Sequence, residues 1–222
     1  MIHQISIPAD TLPPCRREEV LRYSAAGHET DSLSPILDAL ISEAEGLLSC
    51  RICWRELPVA LSHGGVELGG SCCPSASLQE NLEGCHSCIL FAATLGIRFD
   101  RSLSRYGSIA PSKALLLQAI GAERIEALCD IFCEDIAHRY APQAVTRRFS
   151  PGYGDLPLDF QKTLFSLLDC PRQIGVTLSE SLIMFPSKSV SAIVGIGGSG
   201  HRCAANRCSL CQKTDCLYRR QP

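Results

Sequence analysis

The sequence predicts an α+β fold, with helices packed on a mainly antiparallel sheet and a small cysteine-rich tail. Two observations lead to it: segments with apolar residues at helical spacing, and alternating segments around a glycine turn. With 222 residues, 45% of them hydrophobic, the chain can bury a sizeable core. A formal net charge of −2 argues against a nucleic-acid partner. The sequence shows neither a signal peptide nor a run of 18 apolar residues, so we expect no membrane span and a cytoplasmic location.

Residues 1–110 are expected to form an N-terminal region of helices and strands. A short helix is predicted at 16–23, and a longer one at 33–48 has apolar residues every three or four positions. Gly64-Gly65, inside an alternating segment at 55–70, predicts strands around a hairpin turn. A turn and a polar link should follow, and then an apolar run.

Residues 111–196 are expected to form the core of the functional site. The segment 111–140 predicts the longest helix of the chain, with a possible irregularity at Gly121. The remaining elements are a helix and two β segments, the second of them buried, at 158–168, 176–184 and 189–196.

The segment Arg148 to Asp155, RFSPGYGD, combines a fixed cation, a turn and a phenol. Pro151 presets its own φ and Gly152 tolerates a positive φ, so a tight turn is expected to hold Arg148 and Tyr153 on one side. A guanidinium pairs with a carboxylate, and an aromatic ring can lie against a cation. The pair suits a small zwitterionic molecule that also carries a positive charge. The alternative is a surface turn with a solvated arginine.

Three acids, Glu126, Asp130 and Glu134, recur every four residues on the long predicted helix. Such a stripe is either a solvated face or a site for a cation or an ammonium group.

The 14 cysteines are expected to be buried thiols or metal ligands rather than disulfides. Two pairs could be half-sites of one metal centre, although small core residues are the simpler interpretation; these are Cys50/Cys53 and Cys85/Cys88.

Residues 197–222 are interpreted as a glycine linker and a metal-binding tail. The glycines from Gly195 to Gly200 are not followed by the helix that a dinucleotide-binding loop requires. The spacing C-x4-C-x2-C-x4-C resembles that of iron–sulfur ligands, and four thiolates could hold either an iron–sulfur cluster or zinc. The predicted ligands are Cys203, Cys208, Cys211 and Cys216.

Two segments, RFSPGYGDLPLDFQKTLFSLLD and IGVTLSESLIMFPSKSVSAIVGIG, closely resemble the activation domain of cobalamin-dependent methionine synthase and its free-standing bacterial relatives. The resemblance runs from about Ala114 to Ser191. It implies an S-adenosylmethionine site to which Glu126, Arg148 and Tyr153 contribute. Two features of the family pattern are missing here, namely a tyrosine pair after S-V-S and an acidic residue near the start of the domain.

The resemblance also implies the function, which is reductive reactivation of a corrinoid methyltransferase such as methionine synthase. The partner protein would carry the cobalamin, and S-adenosylmethionine would donate the methyl group. We expect the four-cysteine centre to relay an electron from a separate donor. Two alternatives are an iron–sulfur reductase for another substrate and a non-catalytic adaptor that docks a corrinoid protein through a zinc-held tail.

Overall fold

The computed structural model describes residues 1–26, 29–62 and 64–197. The linker from Gly198 onwards and the predicted ligands Cys203, Cys208, Cys211 and Cys216 lie outside the described residues. The helices are α1 (Arg17–Ser24), α2 (Ser34–Leu47), α3 (Ala76–Asn81), α4 (Ile97–Ile109), α5 (Pro111–Arg139), α6 (Phe160–Leu168) and α7 (Cys170–Ile174). The strands are β1 (His3–Ile7), β2 (Cys50–Pro58), β3 (Ala60–Ser62), β4 (Gly65–Leu68), β5 (Ser71–Cys73), β6 (Ser87–Thr94), β7 (Thr177–Leu178), β8 (Met184–Phe185) and β9 (Ser189–Ile196).

A four-stranded antiparallel sheet in the order β1-β2-β6-β9 forms the centre of the fold. Every residue of β6 is buried, because this strand is central and both faces of the sheet are covered. The register places Ile52 of β2 opposite Ala93 of β6, and Ala93 opposite Val190 of β9. Two small antiparallel units, β3-β4-β5 and β7-β8, lie outside this sheet.

Three apolar cores hold the layers together. Helix α5 packs on one face of the sheet through Leu128 and Phe132, which lie in one cluster with Ile52 and Phe91. Helices α3, α6 and α7 and strand β4 cover the opposite face. A third core joins α1, α2 and α4 to the first half of α5. Within the described residues, no helix combines the length and the low polarity needed to cross a bilayer.

The segment 145–149 lies alongside β9 and places the arginine of the RFSPGYGD turn. Phe149 and Ile193 exchange two backbone hydrogen bonds of 2.9 Å, and both side chains belong to the core beneath α6. Since neighbouring side chains of an extended segment point to opposite faces, Arg148 is directed towards α5.

Asp155 fastens the end of this turn to the start of α3. Its carboxylate accepts hydrogen bonds from the Ser75 hydroxyl at 2.6 Å and from the backbone N–H groups of Ala76 at 2.8 Å and Ser77 at 3.0 Å. The first N–H groups of a helix have no partner inside the helix, so a carboxylate from elsewhere in the chain caps them. The Ser75 hydrogen bond, followed by the Ser77 N–H, lowers the pKa of Asp155 to about 2.

The structure confirms the α+β class and most of the predicted elements. The helices expected at 16–23, 33–48, 111–140 and 158–168, the glycine hairpin and the buried strand at 189–196 are all present. The single β segment predicted at 176–184 is wrong, since only Thr177–Leu178 and Met184 pair there, in two short strands, and Leu182 between them has a φ of 64°. Helices α3 and α4 were not expected. Gly121 does not interrupt α5.

Gly121 is instead the point where α5 approaches its neighbours. A Cβ at this position would lie 2.6 Å from Cε1 of Phe99 and 2.9 Å from Cε of Lys188. We expect Gly121→Ala to lower the free energy of unfolding by about 1–3 kcal/mol through overpacking, although alanine is the better helix former. Gly46→Ala in α2 is the matched control, because nothing lies within 4 Å of its added Cβ. The control should stabilise the protein by about 0.5–1 kcal/mol in urea unfolding; equal effects of the two changes would contradict the packing role.

A second prediction concerns the Asp155 cap. Asp155→Asn should lower the melting temperature by roughly 2–4 °C near neutral pH, whereas Asp159→Asn, whose side chain caps nothing, should not. Because the folded-state pKa lies below the ordinary value of about 3.9, the stabilisation is complete above about pH 5 and is lost as the pH falls towards 2. Thermal unfolding of wild type and Asp155→Asn across this range should show the two converging, and a pH-independent difference would refute the assignment.

Candidate functional site

Arg148 joins the RFSPGYGD turn to the acidic stripe of α5. Its Nη2 lies 3.0 Å from Oε2 of Glu126 and 2.7 Å from Oδ1 of Asp130. These two carboxylates are one helical turn apart, so a single guanidinium reaches both. Glu134, the third acid of the stripe, is exposed and is not an ion-pair partner of Arg148. The two expected site residues Glu126 and Arg148 therefore meet directly, and Asp130 joins them.

The guanidinium is largely withdrawn from water, whereas the carboxylates are not. The side chain of Arg148 is 19% exposed, against 40% for Glu126 and 47% for Asp130. Burial alone would lower the pKa of Arg148. The acidic groups of α5 around it, of which Cys129 and then Glu126 have the largest effects, raise this pKa overall. Burial also raises the pKa of the Cys129 thiol, so this thiol is neutral at physiological pH. The fixed charges at this point are therefore one positive and two negative.

Tyr153 occupies the tip of the same turn. Its backbone N–H donates to the Ser150 carbonyl at 3.0 Å, and Gly152 has a φ of 89°, as the predicted tight turn requires. Tyr153 is 46% exposed, and its ring meets the Phe149 ring edge-on at a centroid distance of 6.3 Å. Arg148 thus contacts α5, while Tyr153 contacts Phe149, a residue of the core on the opposite face of the sheet. The turn therefore does not hold the two side chains on one side, as the sequence led us to expect.

A buried ionic network ties the start of α1 to α5 beside this cluster. Glu123, fully buried, accepts from Nε of Arg16 at 2.9 Å and from Nε of Arg124 at 2.6 Å. Burial would raise the pKa of Glu123, but the two arginines lower it overall, so the carboxylate stays ionised. The negative charge of Glu126 adds to burial in raising the pKa of Tyr23, which shows that α1 borders the site. Sequence reasoning missed this network, because Arg16 and Glu123 are 107 positions apart in the chain.

The cysteine pairs do not form a shared metal centre among the described residues. Cys50 lies in the core under α5, whereas Cys53, on the other face of β2, lies in the core under α6 together with Cys88. All four thiols of the two pairs are buried, as the core interpretation predicted. In the part of the chain that the structure describes, no group of three or more His, Cys, Asp or Glu is arranged to bind a metal ion.

Comparison with known proteins shows which family this chain resembles in sequence and which structure it resembles in fold. The family model described as the activation domain of vitamin B12 dependent methionine synthase matches residues 84–221. A crystal structure of the MetH reactivation domain bound to AdoHcy aligns with a TM-score of 0.67 and 14% identity, over 91% of this chain and 81% of that chain. At this identity the alignment shows a shared fold. No curated protein matches the chain. Since the family match spans more than half of the sequence, the chain belongs to the family of the vitamin B12 dependent methionine synthase activation domain.

Proposed function

We propose that this protein takes part in the reductive reactivation of a corrinoid methyltransferase, with S-adenosylmethionine as the methyl donor. The observation that carries the proposal is the Arg148 cluster, a guanidinium held between two carboxylates in a member of this family. The similar fold of a reactivation domain bound to AdoHcy, the demethylated product of that donor, supports it.

The chemistry explains why a methyl donor is needed. Returning one electron to the inactive cob(II) state of a partner's cobalamin is unfavourable at physiological potentials. Methyl transfer from a sulfonium removes the reduced cobalt as soon as it forms, and so pulls the reaction forward. The task of this protein is to hold the donor against the partner's cobalt, which is catalysis by proximity.

Each predicted site residue has a charge or surface that suits the donor. A guanidinium has five N–H donors, and both ion pairs of Arg148 use Nη2, so an N–H group outside these two ion pairs can donate to the ligand carboxylate. Glu126 can accept the ligand ammonium, because its carboxylate is 40% exposed beside Arg148. Tyr153 is about half exposed at the tip of the RFSPGYGD turn, and its ring is the aromatic surface that we assign to the ligand.

We further propose that Cys203, Cys208, Cys211 and Cys216 relay the electron through an iron–sulfur cluster, with zinc as the alternative. The point where the tail begins supports this role. The Gly197 N–H donates to the Ala144 carbonyl at 2.9 Å, and Ala144 precedes Arg148 by four residues, about 13 Å of extended chain. The six residues that follow Gly197, up to Cys203, span up to about 20 Å, so the tail is long enough to bring Cys203 to the Arg148 ion pairs.

The first prediction of this proposal is that Arg148→Ala weakens S-adenosylmethionine binding by about 10- to 100-fold, as expected for the loss of charge-assisted hydrogen bonds. Isothermal titration calorimetry measures it. Arg148→Lys retains the charge without the two-pronged donor and should be intermediate, which guards against a folding artefact. Arg172→Ala, at an exposed arginine of α7, is the matched control. Unchanged affinity in Arg148→Ala, or no binding by the wild type, would rule out this site.

The second prediction concerns the tail. After anaerobic purification we expect a brown protein whose visible absorption bleaches with dithionite and whose iron is lost in Cys208→Ser. Cys72→Ser changes an exposed thiol of the β3-β4-β5 unit and should leave both iron content and spectrum unchanged. A colourless protein that holds one zinc would overturn the relay and leave a methyl-donor or docking subunit.

A further inference from the structure

The charges around Arg148 match those of S-adenosylmethionine one for one. The ligand carries one carboxylate and two cations, an ammonium and a sulfonium. The cluster offers one guanidinium and two carboxylates, those of Glu126 and Asp130. The demethylated product lacks the sulfonium and is a plain zwitterion. The second carboxylate therefore has a counterpart in the methyl donor alone.

The spacing of the two acids fits the spacing of the two cations. Glu126 and Asp130 are one turn apart on α5, so their side chains start about 5–6 Å from each other. Four single bonds separate the amino nitrogen of the ligand from its sulfur, which places the two cations on the order of 5 Å apart. With the carboxylate on Arg148 and the ammonium at Glu126, the sulfonium falls beside Asp130.

The remaining charges near the cluster leave Asp130 available for this role. Among the described residues, Asp130 ion-pairs with Arg148 alone. Arg16 is the next cation, close enough for Asp130 to contribute to its raised pKa, but Arg16 is bound to the buried Glu123. Arg22 is paired with Glu19 on α1. Asp130 is also 47% exposed, so a ligand can reach it.

We propose that Asp130 faces the sulfonium and selects the methyl donor over its demethylated product, an inference that rests on the proposed function. In the transfer, the sulfur–methyl bond breaks and its electron pair stays on sulfur, while the partner's cob(I) centre supplies the pair for the new bond to carbon. The sulfur thereby becomes neutral. The attraction to Asp130 disappears at the moment the product forms, which favours its release.

The test is a comparison of three ligands by calorimetry on the full chain: S-adenosylmethionine, S-adenosylhomocysteine and sinefungin, in which a protonated amine replaces the sulfonium. We expect Asp130→Asn to weaken binding of the two doubly cationic ligands about three- to tenfold and to leave S-adenosylhomocysteine within about twofold. Glu134→Gln, one turn further along the same stripe, should change none of the three affinities. Glu126→Gln should weaken all three, because each carries the ammonium.

Each outcome decides a separate point. If Asp130→Asn weakens binding of all three ligands equally, or of none of them, the selective role is wrong while the site stands, provided that Arg148→Ala still weakens binding as predicted above. If wild type binds none of the ligands, the proposed function fails as well.

Should Asp130→Asn not fold, a salt series on wild type replaces it. Raising the salt from about 0.1 M to about 1 M shortens the screening length from about 10 Å to about 3 Å and should weaken the doubly cationic ligands selectively; equal weakening of all three would refute the inference.

Discussion

The burial of one face of α5 against the central sheet fixes the position of the whole candidate site. This helix belongs to two cores, one shared with the sheet and one with α1, α2 and α4, and Gly121 allows the close approach that the second core needs. Because its apolar face is committed to the sheet, the flank that carries Glu126 and Asp130 is left beside the edge where segment 145–149 runs. The acids meet Arg148 for that reason.

Charge balance is the second constraint. A guanidinium that is 19% exposed has lost much of its hydration, and such a group is tolerated when carboxylates and hydrogen bonds replace the water. Two carboxylates do so here, which leaves an excess negative charge in the cluster. A ligand with an excess positive charge compensates it, whereas a neutral zwitterion does not. The stability of the Arg148 cluster and the proposed preference for the methyl donor thus have the same electrostatic origin.

Prediction from sequence succeeded where a local pattern was strong. The long apolar stripe of 111–140 and the glycine hairpin were both found. It failed where the pattern was weak or misleading. Helix α3 has only six residues and depends on the Asp155 cap from a distant turn. Helix α4 contains Gly107 and few apolar residues, and it is stabilised by packing of Phe99 in the helical core. The apolar run before Met184 suggested a strand, but a turn with a positive φ at Leu182 interrupts it.

For the site, the sequence by itself determined three local patterns: the RFSPGYGD turn, the acidic stripe and the four-cysteine spacing of the tail. It left open whether the stripe was a solvated face or part of a site. Only the tertiary structure decided that Glu126 and Asp130 meet Arg148 and that the buried Glu123 ties α1 beside them. The physical reason is distance along the chain: these contacts join residues 18 to 107 positions apart. Such pairs form only when strand pairing at β9 and the packing of α5 bring their elements together.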